Sequence, residues 1–312
     1  MEIVFLGTGA GMPSKQRNTS SLVLNLSAEE GGYWLFDCGE ATQHQLLHTT
    51  IKPRKINKIF ITHLHGDHIF GLPGFLGSRS FLGGDEPLTI YGPKGIEEWI
   101  ITSLKLSKTH LTYTLHFVEL KEGFLFEDEH FKVETKELQH VISCFGFRIE
   151  QKPLKGKLLI EKAIEAGVPK GPLLQKLKDG HDIVLDNGKT VYSKDVTGEP
   201  QTGFTVAILG DTRFCEAAVE LSKEADVVIH EATFDLETGD LAKEYGHSTI
   251  GDAANVAKKA GAHSLIANHI SARFLPYHIA HLEQSGREIF QNLHIAEDFS
   301  HFEWKDDKLI KK

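Results

Sequence analysis

The chain alternates short apolar runs with turn residues, and stretches of helical spacing fall between them. Residues 2 to 6, 20 to 26 and 33 to 37 are strand-length runs joined by Gly- and Pro-containing turns, the start of a β-meander. Further strands are expected at 58–61, 88–91, 115–119, 131–138, 144–150, 204–209, 226–229 and 264–267. Helical spacing occupies the segment from Asp37 through Leu47, a stretch after Gly71, Ile96 to Leu106, and Ile250 to Ala260. Strands and helices alternate, which predicts an α/β (α+β) class rather than an all-β sandwich.

One segment breaks this pattern. From Gln151 to Gly180 there are seven lysines (152, 155, 157, 162, 170, 176 and 178) against Glu161, Glu165 and Asp179. The local charge is therefore +4, and the segment also carries Pro153, Gly156 and Gly167-Val168-Pro169-Lys170-Gly171-Pro172. Within a single domain over 1–312, residues 151–200 read as an insertion that projects from the core. It is either a solvated hairpin or a surface for an anionic partner.

The densest chemistry lies in Thr62-His63-Leu64-His65-Gly66-Asp67-His68, directly after the apolar run Lys58-Ile59-Phe60-Ile61. His63 and His65 share one face of an extended strand, and Asp67 and His68 can fold back over a second position. Zinc accepts His nitrogen and carboxylate oxygen, and two ions need more ligands than one loop supplies. Candidates for the remainder sit at or just past strand ends: His140, Asp211, His230 and His269. Histidines placed only for packing would not keep that regularity. His230 reads rather as a buried structural residue, and Asp37, at another strand end, as support for a ligating His.

The glycines of Gly7-Thr8-Gly9-Ala10-Gly11 suggest a dinucleotide loop but fail its fingerprint, because Met12 stands where the third Gly belongs and a strand follows. Arg17 is an anion contact or a loop charge. Cys38, Cys144 and Cys215 are odd in number, widely spaced and outside any Cys-x-x-Cys pair, which argues against a disulfide framework and for a reducing, cytoplasmic setting. No apolar run is long enough for a bilayer, and the start of the chain lacks signal-peptide flanks, so no membrane partner is expected. A net charge of −9 argues alone against nucleic acid, and no DNA partner is expected. The basic insertion is the counterweight.

The His-x-His-x-Asp-His signature, with isolated His, Asp and His after later strands, resembles the metallo-β-lactamase superfamily. Within it, Phe5-Leu6-Gly7-Thr8-Gly9, Pro13 to Asn18, Phe36-Asp37-Cys38-Gly39-Glu40, Leu209-Gly210-Asp211-Thr212-Arg213, His230-Glu231-Ala232-Thr233-Phe234, Gly246-His247-Ser248-Thr249 and Ser271-Ala272-Arg273-Phe274 resemble the bacterial ribonuclease Z family. The resemblance covers nearly the whole chain. It implies a four-layer αββα sandwich whose basic arm grips the tRNA elbow, a homodimer, and two Zn2+ per chain. By position, His63, His65 and His140 would hold one zinc, Asp67, His68 and His269 the other, and Asp211 would bridge them. The implied reaction is cleavage of precursor tRNA 3′ of the discriminator nucleotide by a metal-bridged hydroxide, leaving a tRNA 3′-hydroxyl and a 5′-phosphorylated trailer. Asp67 would be the general base, and His247, oriented by Glu231, the general acid.

Alternatives stand beside these roles. His247-Ser248-Thr249 also reads as a helix N-cap loop, and Arg273 as a substrate-phosphate contact or the partner of an acid. Lys170, Lys176 and Lys178 are the arm's candidate phosphate contacts. The same metal core serves other hydrolases, so a small-molecule phosphodiesterase or thioesterase with the insertion as a lid is the second reading. A non-catalytic RNA-binding subunit is the third, and it would be expected to have lost ligands that are all present here.

Overall fold

The computed structural model describes residues 1–29, 31–154, 156–200 and 202–312; Lys155 of the basic segment lies outside them. The chain divides into two compact units, one made of Met1–Glu150 with Thr205–Lys312 and one of Gln151–Phe204.

In the larger unit the described residues form two main sheets. The first runs, edge to edge, Lys308–Lys311, His301–Lys305, Glu2–Gly7, Ser21–Leu26, Gly32–Phe36, Ile56–Phe60, Leu88–Gly92 and Leu115–Glu119. Its first five strands are antiparallel neighbours, and from Gly32–Phe36 onward the pairing is parallel. The second sheet runs Leu293–Ile295, Ser264–Asn268, Val227–Glu231, Thr205–Ile208, Phe145–Gln151, Phe131–Glu137 and Gly123–Glu127. Its first four strands are parallel.

The layering follows from which faces are apolar. Ile59, Ile90 and Leu35 of the first sheet pack against Leu72, Phe75, Leu76, Ile96 and Ile100 of the helices Leu72–Phe81 and Ile96–Leu106. Val228, Leu265 and Ala267 of the second pack against Ala218, Ala253, Ala257 and Leu282 of three other helices. Between the sheets lies an aromatic layer. The Phe36 and Phe60 rings stack at 4.7 Å, and Phe147 from the facing sheet meets them edge-on at 5.7 and 5.3 Å. Burial of such rings dominates the energetics of a core. The order helix, sheet, sheet, helix is the four-layer αββα arrangement.

The helix Ile250–Ala260 has the limits expected from its spacing. Thr249 Oγ1 accepts from Asp252 N at 3.1 Å while Asp252 Oδ2 accepts from Thr249 N at 3.0 Å, a reciprocal cap. The strands Gly123–Glu127, His301–Lys305 and Lys308–Lys311 and the helix Pro276–Arg287 go beyond the sequence expectations.

The smaller unit has its own core of Ala163, Val168, Leu177, Ile183, Leu185, Val191 and Val196. The helix Pro172–Lys178 is pinned by Ser193 Oγ, which donates to Leu177 O at 2.6 Å. That packing leaves Lys170, Lys176 and Lys178 exposed.

Candidate metal centre

Parallel strands present their carboxyl ends on one edge, where ligand sites of such sheets form. His63 follows the strand Ile56–Phe60, Asp211 follows Thr205–Ile208, and His269 follows Ser264–Asn268. Glu231 ends Val227–Glu231, and His140 lies just past Phe131–Glu137. The seven expected ligands converge in space. His63, His65, His140 and Asp211 form one group, Asp67, His68 and His269 a second, and Asp211, His247 and His269 a third, each with ligand atoms within 4.8 Å of one another.

Converging imidazole nitrogens are the signature. His63 Nε2 lies 3.0 Å from His65 Nδ1, His65 Nδ1 lies 3.2 Å from His140 Nε2, and His68 Nε2 lies 3.3 Å from His269 Nε2. Ligands held tetrahedrally at zinc–nitrogen distance stand about 3.4 Å apart. Asp211 Oδ2 is central, at 3.6 Å from His63 Nε2 and 3.5 Å from both His68 Nε2 and His269 Nε2. One carboxylate oxygen thus reaches nitrogens of both groups. Asp67 Oδ2 stands 3.4 and 3.3 Å from His68 and His269 and accepts from Gly11 N at 2.8 Å.

For four of the five rings a partner on the far side fixes which nitrogen faces inward, while His65 turns Nδ1 to the cluster. His68 Nδ1–H donates to Asp37 Oδ2 at 2.7 Å, and His140 Nδ1–H to Gly246 O at 2.7 Å. His63 Nδ1 is 3.0 Å from Thr62 Oγ1, which donates to Asp37. His269 Nδ1 is 2.9 Å from Thr233 Oγ1, itself a donor to Glu231 Oε2 at 2.7 Å. These Nδ1 protons leave the Nε2 lone pairs for a cation. Asp37 and His269 hold left-handed backbone at φ 54° and 56°, and strain of this kind persists where surrounding structure enforces it. Gly246 has φ 79°, and a Cβ there would come within 3.0 Å of His140 Nδ1. Thr62 and Thr233 are supports that sequence reasoning missed; a hydroxyl beside a ligating His carries no spacing signal when its contact is tertiary.

Charge agrees with geometry. Burial pushes His63, His65 and His140 down, so these rings are neutral and their lone pairs are open to a cation. Burial opposes protonation of His68 too, but Asp211, Asp37 and Asp67 overcome it and raise its value well above the usual range, so a cation binding there has to displace the Nε2 proton of that ring. Burial likewise opposes ionisation of Asp211, yet His269, His68 and His63 hold it well below the carboxylate range. Nitrogen and carboxylate donors of this kind fit divalent ions such as zinc. Because Asp37 bonds His68 and also accepts from Thr62 N at 2.8 Å, Asp37→Ala should weaken metal affinity about 10- to 100-fold, read by chelator competition.

Beside the candidate ligands, His247 Nδ1–H donates to Glu231 Oε1 at 2.8 Å. Burial disfavours charge on His247, but Glu231 and Asp211 more than offset it and raise its value to about 9. The cap and the histidine are thus separate devices, since Thr249 closes the helix and His247 faces Glu231. An open cleft of about 270 Å3 is lined by His65, Asp67, Asp211, His247, Tyr245 and Arg273. Arg273 is exposed, with its guanidinium 4.8 Å above the Phe234 ring. Arg17 is buried, donates to Thr8 Oγ1 and Ala296 O at 2.7 and 2.6 Å, and lines a neighbouring cleft of about 360 Å3. His230 is fully buried, its Nδ1–H donating to Glu231 O at 2.7 Å.

A ribonuclease Z of Bacillus cereus is 55% identical over 303 residues, which span 97% of this chain and 99% of that one. The chain belongs to the ribonuclease Z family. It is an enzyme, a metal-dependent phosphodiester hydrolase on the metallo-β-lactamase fold. The crystal structure of human tRNase Z, short form, is 34% identical, with a TM-score of 0.68 over 97% of this chain and 99% of that one. A metallo-beta-lactamase fold protein, YhfI from Bacillus subtilis, shares the fold at a TM-score of 0.66 and 20% identity over 96% and 98%. The family model described as anti-Pycsar protein Apyc1 matches residues 1–157. That match contains the His63–His68 stretch and His140 and stops short of Asp211, Glu231, His247 and His269. Only the full-length relatives span both halves of the centre.

Proposed function

We propose that this enzyme cleaves precursor tRNA 3′ of the discriminator nucleotide, leaving a tRNA 3′-hydroxyl and a 5′-phosphorylated trailer. The Glu231–His247 pair set against the ligand cluster supports this reading best, because it puts a proton donor beside the candidate ligands Asp211 and His269. His63, His65 and His140 would hold one ion and Asp67, His68 and His269 the other, with Asp211 placed to serve both; two Zn2+ per chain is the proposed complement. Ions bound there would supply Lewis acidity and water acidified to near neutrality. Asp67 takes the proton of the attacking water from a position fixed by Gly11 N. His247 gives its proton to the leaving 3′-oxygen, and Glu231 holds the ring and its charge in place. Arg273 and Arg17 line the clefts that would take phosphates next to the cut.

The unit Gln151–Phe204 is proposed as the tRNA-gripping arm, with Lys170, Lys176 and Lys178 meeting phosphates. Overall acidity does not oppose this, since binding depends on where the lysines sit. A homodimer acting in the cytoplasm, without DNA or a membrane, completes the proposal; among the described residues no helix is long and apolar enough to cross a bilayer. Incubation with an unprocessed tRNA, with and without chelator, tests it by mapping the cut to the nucleotide.

Deleting residues 155–195, or neutralising the three lysines, should weaken tRNA processing at least tenfold. The slope of log affinity against log salt should flatten by about 0.7 to 0.9 for each phosphate the arm no longer neutralises. Hydrolysis of a small chromogenic phosphodiester should survive. Equal loss of both activities would make the arm structural and favour the small-molecule reading.

A further inference from the structure

Behind the ligand cluster is a small cavity of about 30 Å3, lined by Ser20, His230 and Asn268 together with Asp37, His68 and His269. Ser20 Oγ, His230 Nε2 and Asn268 Oδ1 are buried, and among the described residues none has a hydrogen-bond partner. Buried polar atoms are rarely left so, because each loses its hydration without replacement. Their chemistry says what is needed. The Glu231 carbonyl can only accept, so His230 Nδ1 carries the proton bonded to it and Nε2 keeps a lone pair. Asn268 Oδ1 is a second acceptor, and Ser20 Oγ–H is a donor.

Two acceptors and one donor are matched by one water, which gives two protons and accepts one. A water needs about 10–15 Å3 of such space and two to four polar partners; the cavity has the space, and the three unpartnered atoms belong to residues that line it. We propose that this cavity binds one ordered water, which ties the two sheets together directly behind the metal centre.

Each partner adjoins a support of the site. Ser20 O accepts from Gly39 N at 3.0 Å, and the next residue, Ser21, donates its Oγ–H to Asp37 O at 3.0 Å. His230 precedes Glu231. Asn268 precedes His269, and its carbonyl accepts from Ala232 N at 2.8 Å. The water therefore sets the separation between the half that carries Asp37 and His68 and the half that carries Glu231, His247 and His269. Ser20, His230 and Asn268 are positioning residues that act through the ligands. Nothing here depends on which RNA is cut.

A crystal structure of the metal-loaded protein, at a resolution that shows ordered water, should place one water within about 2.7–3.2 Å of all three atoms. A dry cavity, or a water touching only one of them, would overturn the proposal. A thermodynamic cycle supplies the second test. Ser20→Ala and His230→Leu should each destabilise the fold, and the double variant should fall about tenfold short of the product of the two effects, because the first removes the water both need. Independent, multiplicative effects would count against a shared water. Should His230→Leu fail to fold, Asn268→Ala takes its place in the cycle. Ser20→Ala should also lower metal affinity about tenfold in chelator competition and reduce kcat while leaving KM unchanged. Unaltered metal affinity and kcat would remove the positioning role.

Discussion

Asp67→Ala should abolish pre-tRNA cleavage, with kcat falling about 10³-fold or more. Two losses combine. Asp67 Oδ2 stands within 3.4 Å of His68 and His269 nitrogens, so its removal opens the second metal position. It is also the proposed base, and a positioned base contributes about 10²–10⁴-fold. The Asp67 carboxyl is held below the usual carboxylate range; burial works against this, but the His68 charge and the bonds from His269 and His68 prevail. It is thus ionised at any working pH, the form a metal ligand requires. Single-turnover cleavage at saturating zinc reads the effect. Residual activity within tenfold of the unaltered enzyme would strip Asp67 of both roles.

The second large effect belongs to the proton donor. His247 is raised to about 9, so it is charged at neutral pH, and cleavage should decline as pH rises through that value. Glu231→Gln removes the main cause and lets the imidazole return toward its ordinary value of about 6.5. A full return leaves about one thirtieth of it protonated at pH 8, an expected drop of up to about 30-fold there and far less at pH 6. His247→Ala should lose about 10²–10³-fold and the alkaline limb with it. The same pairing stabilises the fold below the imidazole's ordinary value and is lost as pH rises through about 9. A pH–rate profile unchanged by Glu231→Gln would leave the proton donor unassigned.

Much of the centre was legible in the order of residues. Three histidines and an aspartate within six positions are a local pattern, and apolar runs announce the strand ends where His140, Asp211 and His269 lie. The supports were not legible. Thr62 and Thr233 look ordinary in sequence and act only because the fold sets their hydroxyls against His63 and His269. Arg17, read as a contact or a loop charge, proves to be buried, and its guanidinium donates to a carbonyl 279 residues away. The edge strand His301–Lys305 pairs with Glu2–Gly7, a union of chain ends that no local window contains.

By itself the sequence determined the class of fold, the metal-binding chemistry and the candidate ligands, because periodicity and residue type are local properties. Tertiary structure alone decided the arrangement. It set which imidazole nitrogen faces inward and made Asp211 Oδ2 the shared centre of two groups. It also put Glu231 behind His247 and left a polar cavity between Ser20, His230 and Asn268. Each of these depends on two sheets packed face to face, and distances across that junction arise only when the whole core packs.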